Sequence, residues 1–339
     1  MDAPAIRTVD LGRTYSLHRK RPRRPDGETV PSEFTALDNI NLAIQPGELF
    51  GLLGSNGAGK TTLIKILTTL LAPTRGSASV DGLDVVSQAQ AVRERINMVS
   101  GGETSGYGVL SVRENLWLFS QLYGVPGKEA RCRIERLLAA VGLEERGDTR
   151  ISHLSTGQRQ KMNFCRGFVT NPKILFLDEP TLGLDVTTAR TVRQFIRDWM
   201  GEGPSRTLVL TTHYMMEADE LCDRIAIIHR GRVLACDTPL ALKRRVQRYP
   251  TFELALTTGA NGWHGLGRVP GVHQCTCAER STSIDVRVAL QEEEAVGSVV
   301  QEILSGGSRI LSLKKVEPSL EDVFVELVGQ GLMAREVDT

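Results

Sequence analysis

No apolar run in this sequence is long enough to cross a bilayer, which takes about 20 residues. The opening stretch, MDAPAIRTVD, has no apolar core of the kind a signal peptide carries. Both absences predict a chain that neither spans nor crosses a membrane. An excess of charge of one sign is also missing, at 41 basic against 40 acidic residues. A dedicated nucleic-acid binder usually shows a basic excess, so no nucleic-acid partner is expected. Cysteine is sparse and scattered, at Cys132, Cys165, Cys222, Cys236, Cys275 and Cys277. Only Cys275 and Cys277 are close together, so the set reads as reduced thiols rather than a disulfide framework. Sustained heptads are lacking, which excludes a long coiled coil. What remains is ample for a globular core: 339 residues, 41% of them hydrophobic, enough for one large domain or two.

The strongest positive signal is GLLGSNGAGKTTLIKIL. It holds the spacing G-x-x-x-x-G-K-[ST] over Gly54, Ser55, Asn56, Gly57, Ala58, Gly59, Lys60 and Thr61, followed by Thr62. The apolar run Leu49 to Leu53 before it reads as a strand. Leu63, Ile64, Leu67, Leu70 and Leu71 after it read as one face of a helix. Strand, loop and helix are the context a phosphate loop requires. Its glycines let successive backbone N–H groups converge on phosphate oxygens, and the helix start adds its positive dipole end. Lys60 brings a point charge to the β- and γ-phosphates of a bound nucleotide. The Thr61 hydroxyl is placed to ligate Mg²⁺.

A second signal is PKILFLDEPTLGLD. Ile174 to Leu177 is continuously apolar, as in a strand buried on both faces of a parallel sheet. It ends in two acids at the place where a central strand meets the phosphate loop of an open α/β sheet. Asp178 is expected to hold Mg²⁺ through water, and Glu179 to act as general base on the attacking water.

Further motifs carry a resemblance to a family. LSTGQ within HLSTGQRQK resembles the LSGGQ signature of ATP-binding cassette (ABC) proteins. TLGLD, ending at Asp185, resembles their D-loop. LTTHYMMEAD places His213 like their switch histidine, and Tyr15 resembles the aromatic that stacks on adenine. The resemblance covers roughly residues 5 to 240, with the motifs in the family's order. It implies two cassettes paired head to tail, a homodimer in this case, each signature facing the ATP held by its partner. Ser155, Thr156, Gly157 and Gln158 would then serve the partner's nucleotide, and Asp185 would link the two sites. His213 would sense the γ-phosphate. Thr156 stands where the family usually has glycine, and a β-branched residue tolerates unusual φ poorly.

The implied fold class is α/β: a P-loop ATPase core with an antiparallel β subdomain and a helical insertion, plus a small α+β C-terminal domain. The cassette is assigned to residues 1–245, its helical subdomain to about 96–165, and the accessory domain to 250–339. Within the insertion, Ser111 and Glu114 form a capping-box pair. Leu116, Phe119, Leu122 and Tyr123 continue as an apolar stripe, and Ile134, Leu137, Leu138 and Val141 mark a second helix. In the tail, Ile284, Val286, Val288 and Leu290 alternate as a half-buried strand. Val296, Val299, Val300, Ile303 and Leu304 follow at helical spacing. EPSLEDVFVELVG opens on a Ser319–Asp322 cap and buries Leu320, Val323, Phe324, Leu327 and Val328. This ending resembles the tail of ABC exporter ATPases whose separate membrane partners are six-helix permeases. That places the chain peripherally, at the cytoplasmic face of the cell membrane, hydrolysing ATP with Mg²⁺ to drive a permease. The alternative is a soluble cassette with a mechanical or regulatory role, but such proteins show paired cassettes or long coiled coils.

Two stretches depart from the pattern. Residues 19–24 hold five Arg or Lys in six positions. They form either a solvated hairpin tip or an attraction to anionic lipid headgroups or an acidic partner. In MVSGGETSGYGVL, residues 98–110, the family's Mg²⁺-ligating glutamine is replaced by Gly101 or Gly102. Water, Glu103 or Ser100 is left to supply the missing oxygen.

Overall fold

The computed structural model describes residues 3–16, 33–100, 106–203, 206–246, 249–257, 263, 265–280 and 283–336. The basic run 19–24 and the positions of Gly101, Gly102 and Glu103 lie outside the described residues. Two compact units divide the chain, residues 1–239 and 240–339.

The first unit holds two sheets. Strands β1 (Ile6–Ser16), β2 (Glu33–Ile44), β4 (Arg75–Val80) and β5 (Leu83–Asp84) form an antiparallel sheet in the order β2-β1-β4-β5. The other sheet is built from β3 (Leu49–Leu53), β6 (Ile96–Ser100), β7 (Ile174–Asp178), β8 (Thr207–Thr212), β9 (Arg224–His229) and β10 (Arg232–Asp237). Its order is β10-β9-β3-β8-β7-β6, parallel throughout except for the β9–β10 hairpin. β3 and β7 are buried along their whole length, which their unbroken apolar runs require. One core joins the sheets: Ile6, Leu37 and Ile40 of the antiparallel sheet, Leu63 and Ile64 of helix α1 (Lys60–Leu67), and Phe50 and Phe176 of β3 and β7.

Helix α1 is shorter than its apolar spacing suggests. It caps at Thr68, Leu71 packs only partly against the core, and Leu70 is 66% exposed. Helix α2 (Ala89–Arg93) precedes β6. Within residues 96–165, Ile96–Ser100 belongs to the parallel sheet and the helices begin at Val112. They are α3 (Val112–Leu122), α4 (Gly127–Val141) and α5 (Thr156–Val169). The Ser111–Glu114 capping box at the start of α3 is formed in both directions. Leu116 is fully buried, whereas Leu122 and Tyr123 at the end of the stripe face solvent. All four apolar positions of α4 are buried. Edge-on ring contacts of Phe195 with Phe164 and Phe168, and of Trp199 with Phe168, join α5 to α6 (Val186–Gly201). Helix α7 (Met215–Leu221) completes this stretch, and α8 (Pro239–Val246) opens the second unit.

The second unit is α+β. Strands β11 (Thr251–Thr257), β12 (Val272–Glu279), β13 (Ser283–Leu290) and β14 (Ile310–Val316) pair antiparallel in the order β12-β13-β11-β14. Ile284, Val286, Val288 and Leu290 are all buried with Val299 and Ile303 of helix α9 (Val296–Ser305), while Leu304 is exposed. The Ser319–Asp322 cap opens α10 (Leu320–Glu336). Leu320 and Val323 are buried, but Phe324, Leu327 and Val328 only half so. Among the described residues no helix is long and apolar enough to cross a membrane.

Candidate active site

Strand register brings the site together. In the parallel sheet Leu53 pairs with Thr212, and Asp178 pairs with Thr211. The residues that follow these strand ends therefore emerge side by side: the 54–59 loop after β3, Glu179 after β7, and His213 after β8. This is the carboxyl edge where open α/β sheets bind ligands. Ser100 ends β6 at the level of Asp178 on the adjacent strand.

The loop has the geometry of a phosphate cradle. Gly57 has φ +79° with open space where a Cβ would point. Gly59, the residue before α1, has φ +109°, and a Cβ there would sit 2.6 Å from the Ala36 carbonyl oxygen. A left-handed backbone packed that closely excludes any side chain. The first N–H groups of α1, as at any helix start, have no partner inside the helix and are available to an anion. Lys60 is 5% exposed and curls back, donating to the carbonyls of Gly54 (2.8 Å) and Ser55 (3.2 Å). Burial pulls its pKa below the usual lysine value, and the Glu179 and Asp178 carboxylates partly oppose that pull.

Five further side chains meet beside this loop. The Thr61 hydroxyl donates to Asp178 Oδ2 at 3.1 Å, and the Thr211 hydroxyl donates to Asp178 Oδ1. Glu179 Oε1 lies 3.2 Å from His213 Nδ1 and 3.9 Å from Lys60 Nζ. Glu179 itself sits at φ +53°, a left-handed conformation that costs a non-glycine residue about 1–3 kcal/mol. Its N–H is shared between the Thr211 carbonyl (3.0 Å) and the Thr211 hydroxyl (3.2 Å), which holds it there. Thr211 thus grips both acids. The sequence marks it only by the polar pair Thr211-Thr212 that closes an apolar strand.

Mg²⁺ needs hard oxygen donors and typically takes one or two from protein, the rest from phosphates and water. The adjacent Thr61 hydroxyl and Asp178 carboxylate supply such a pair, so the donor set fits that ion.

The remaining predicted residues lie at helix starts and on β1. Ser155 is the N-cap of α5: its Oγ accepts from the Gln158 N–H (3.2 Å), and the Gln158 side chain accepts from the Ser155 N–H (3.0 Å). Thr156 is the first helical residue and has no positive φ, so its β-branched side chain meets no backbone penalty there. Asp185 caps α6, accepting from Thr188 N (2.9 Å) and Thr188 Oγ1 (2.6 Å). Those bonds hold its carboxyl below the usual carboxylate range. Gln160 of α5 donates to the Leu182 carbonyl and so ties the signature helix to the turn after Glu179. Tyr15 is half-buried on β1 with the Arg13 guanidinium 4.8 Å from its ring centre. Cys275 and Cys277 lie 3.7 Å apart, and no group of three potential metal ligands occurs among the described residues.

A phosphate loop, two acids on the next strand but one and a histidine between them define a nucleotide triphosphatase of the P-loop class. Comparison with known proteins narrows this. The family model described as ABC transporter matches residues 37–182. The daunorubicin resistance ATP-binding protein DrrA2 of Streptomyces coeruleorubidus is 36% identical over 97% of this chain and 96% of its own length. The Nod factor export ATP-binding protein I of Burkholderia thailandensis is 39% identical over 61% of this chain and 67% of its own. Among solved structures, a dimeric post-hydrolysis ATP-binding cassette bound to ADP and phosphate superposes with a TM-score of 0.60. It is 25% identical and covers 69% of this chain and 98% of that one. The chain belongs to the ABC transporter family. It is an ATP-hydrolysing subunit of export type, and the soluble mechanical alternative falls away because the likeness to DrrA2 extends through the C-terminal unit.

Proposed function

We propose that two copies of this chain sandwich two ATP molecules between the phosphate loop of one and the Ser155–Gln158 signature of the other. Closure of that pair drives a separately encoded membrane permease, and hydrolysis resets it. The carrying observation is the convergence of Lys60, Asp178, Glu179 and His213 at three aligned strand ends. Gly54 to Thr62 bind the phosphates, with Lys60 on the β- and γ-phosphates, and Tyr15 supports the adenine. Thr61 and Asp178 would hold Mg²⁺, Asp178 through water, and the chemistry such an ion would supply there is neutralisation of charge on the phosphate oxygens.

Glu179 accepts a proton from the attacking water. The new bond forms between that water's oxygen and the γ-phosphorus as the bond to the β-phosphate oxygen breaks, giving ADP and phosphate. His213, 3.2 Å from Glu179, orients that carboxylate and contacts the γ-phosphate. Asp185 couples the two sites through the turn it closes. The subunit sits peripherally at the cytoplasmic face of the membrane, held by its permease.

The test is Glu179→Gln in the full chain. Turnover should cease while ATP still binds and nucleotide-bound dimers accumulate. Hydrolysis at the wild-type rate would overturn the assignment of the base.

A further inference from the structure

Helix α7 turns three residues toward the core on one face, Glu217, Ala218 and Leu221. Ala218 and Leu221 belong in such a stripe, and a glutamate does not. Glu217 is only 3% exposed. Its carboxyl faces the hydroxyls of Thr212 and Thr181, yet neither oxygen closes a hydrogen bond. Two basic side chains are within electrostatic range, Arg193 on α6 and the His213 imidazole. Neither pairs with it: Arg193 Nε lies 3.0 Å from Glu220 Oε2, and His213 Nδ1 faces Glu179. An ionised carboxylate left unpaired in such a place is expensive. Burial accordingly pushes the Glu217 pKa up, a pull that the neighbouring Thr212 and Thr181 hydroxyls oppose.

The two hydroxyls it faces belong to the two turns that carry the reacting groups. Thr181 lies in the tight turn after Glu179, closed by Leu182 N to Glu179 O (3.2 Å) and Leu184 N to Thr181 O (3.1 Å). Thr212 accepts from the Tyr214 N–H at 3.0 Å and so shapes the turn that presents His213. On its far side the first turn is tied to α5 by Gln160. We infer that Glu217 is a positioning residue for hydrolysis: its buried carboxyl, set against the Thr181 and Thr212 hydroxyls but bonded to neither in this structure, closes the bridge between them when nucleotide binds and thereby fixes the approach of His213 to Glu179. This rests on the assignment of Glu179 and His213 to the reaction. A bridge of this kind ties movement of the turn that ends in Asp185 to the histidine, so both shift together when the cassette closes.

The experiment compares Glu217→Leu, Glu217→Gln and wild type in the full chain. Leucine fills the same space with no polar group and removes the burial cost, so its melting temperature should equal or exceed that of wild type. Its kcat should nevertheless fall between about 10- and 100-fold, the range for misplaced reacting groups. KM and ATP affinity should stay unchanged. Glutamine can donate to one hydroxyl and accept from the other, and should hold kcat within about threefold of wild type. A well-folded Glu217→Leu protein with wild-type kcat overturns the inference. So does a glutamine variant no better than the leucine one. Should Glu217→Leu fail to fold, Thr181→Val removes the bridge from its other end and must lower kcat at constant KM; full turnover there overturns the inference equally. Glu179→Gln and His213→Ala run alongside. If those two retain turnover, the catalytic assignment itself is at fault. If they lose it while Glu217→Leu does not, only the bridge is.

Discussion

Ser155 carries two duties that a single variant would confuse and a pair of variants separates. In cis it caps α5 by accepting from the Gln158 N–H, one half of a reciprocal capping box. In trans it is proposed to donate its hydroxyl to the partner's γ-phosphate. Ser155→Ala removes both. Loss of such a cap costs about 1 kcal/mol. For a cassette of this size that is a drop of about 2–4 °C in melting temperature. Turnover should fall to background, far more than the stability change accounts for. Ser155→Asp keeps an acceptor for Gln158 N–H and adds favourable charge at a helix start. It should restore the melting temperature while leaving the protein inactive, since it cannot donate and it repels the phosphate.

Mixing then tests whether the site is shared. Lys60→Ala homodimers and Ser155→Asp homodimers each have two defective sites. A mixed dimer has one intact site, with Lys60 from one chain and Ser155 from the other. Random 1:1 mixing makes half the dimers mixed, so steady-state phosphate release should recover to about a quarter of wild type. A mixture as inactive as its components would refute the shared site. Wild-type turnover by Ser155→Asp alone would refute hydroxyl donation. An unchanged melting temperature in Ser155→Ala would show that the capping box contributes nothing.

Gly59→Ala should abolish ATP binding and lower stability by more than about 1 kcal/mol, because φ +109° and the Ala36 carbonyl at 2.6 Å leave no room for a methyl group; nucleotide titration and melting check both. Glu217 has a raised folded-state pKa, so the stability it leaves in place at low pH is lost as pH rises from the ordinary carboxylate value of about 4.3 through the raised one. The melting temperature of Glu217→Gln should therefore fall less steeply than wild type over that window; parallel slopes would contradict the burial argument. Ile303→Ala should destabilise the C-terminal unit by about 2–5 kcal/mol, read as faster amide exchange along β13. Deleting residues 19–24 should weaken salt-sensitive recovery with membranes if that basic run meets anionic headgroups, and an unchanged membrane fraction would assign it to solvent.

The parts of the fold that could be read from sequence were those whose pattern has a single physical cause. Leu49–Leu53 and Ile174–Leu177 are unbroken apolar runs between turn residues, and each is a strand buried on both faces. Ser111–Glu114 and Ser155–Gln158 are local hydrogen-bonding pairs that need no tertiary knowledge. Periodicity failed at helix ends. Leu70, Leu122 and Tyr123 keep the spacing of a buried face, but spacing does not say where the neighbouring element stops covering it. At the site, Lys60 and Glu179 were visible because their motifs are contiguous. Thr211 and Glu217 were not, since their meaning comes from strand register and from what lies across the core. At Thr156 a residue-type rule says little without the backbone, which is ordinary helix there.

The phosphate loop is stitched in place by chain that is made much later. Gly231 N–H donates to the Ala58 carbonyl (2.9 Å), and the Gly231 carbonyl accepts from Asp38 N–H (2.8 Å), so the β9–β10 turn clamps the loop against β2. Ribosomes add roughly 5–20 residues per second, so roughly ten to thirty seconds separate synthesis of Gly59 from that of Gly231. Through that interval the nascent chain carries the complete G-x-x-x-x-G-K-T sequence without the brace that shapes it. ATP, however abundant, is then a poor template for early folding, and a ribosome stalled before residue 231 would display a cassette whose motif is whole and whose pocket is not.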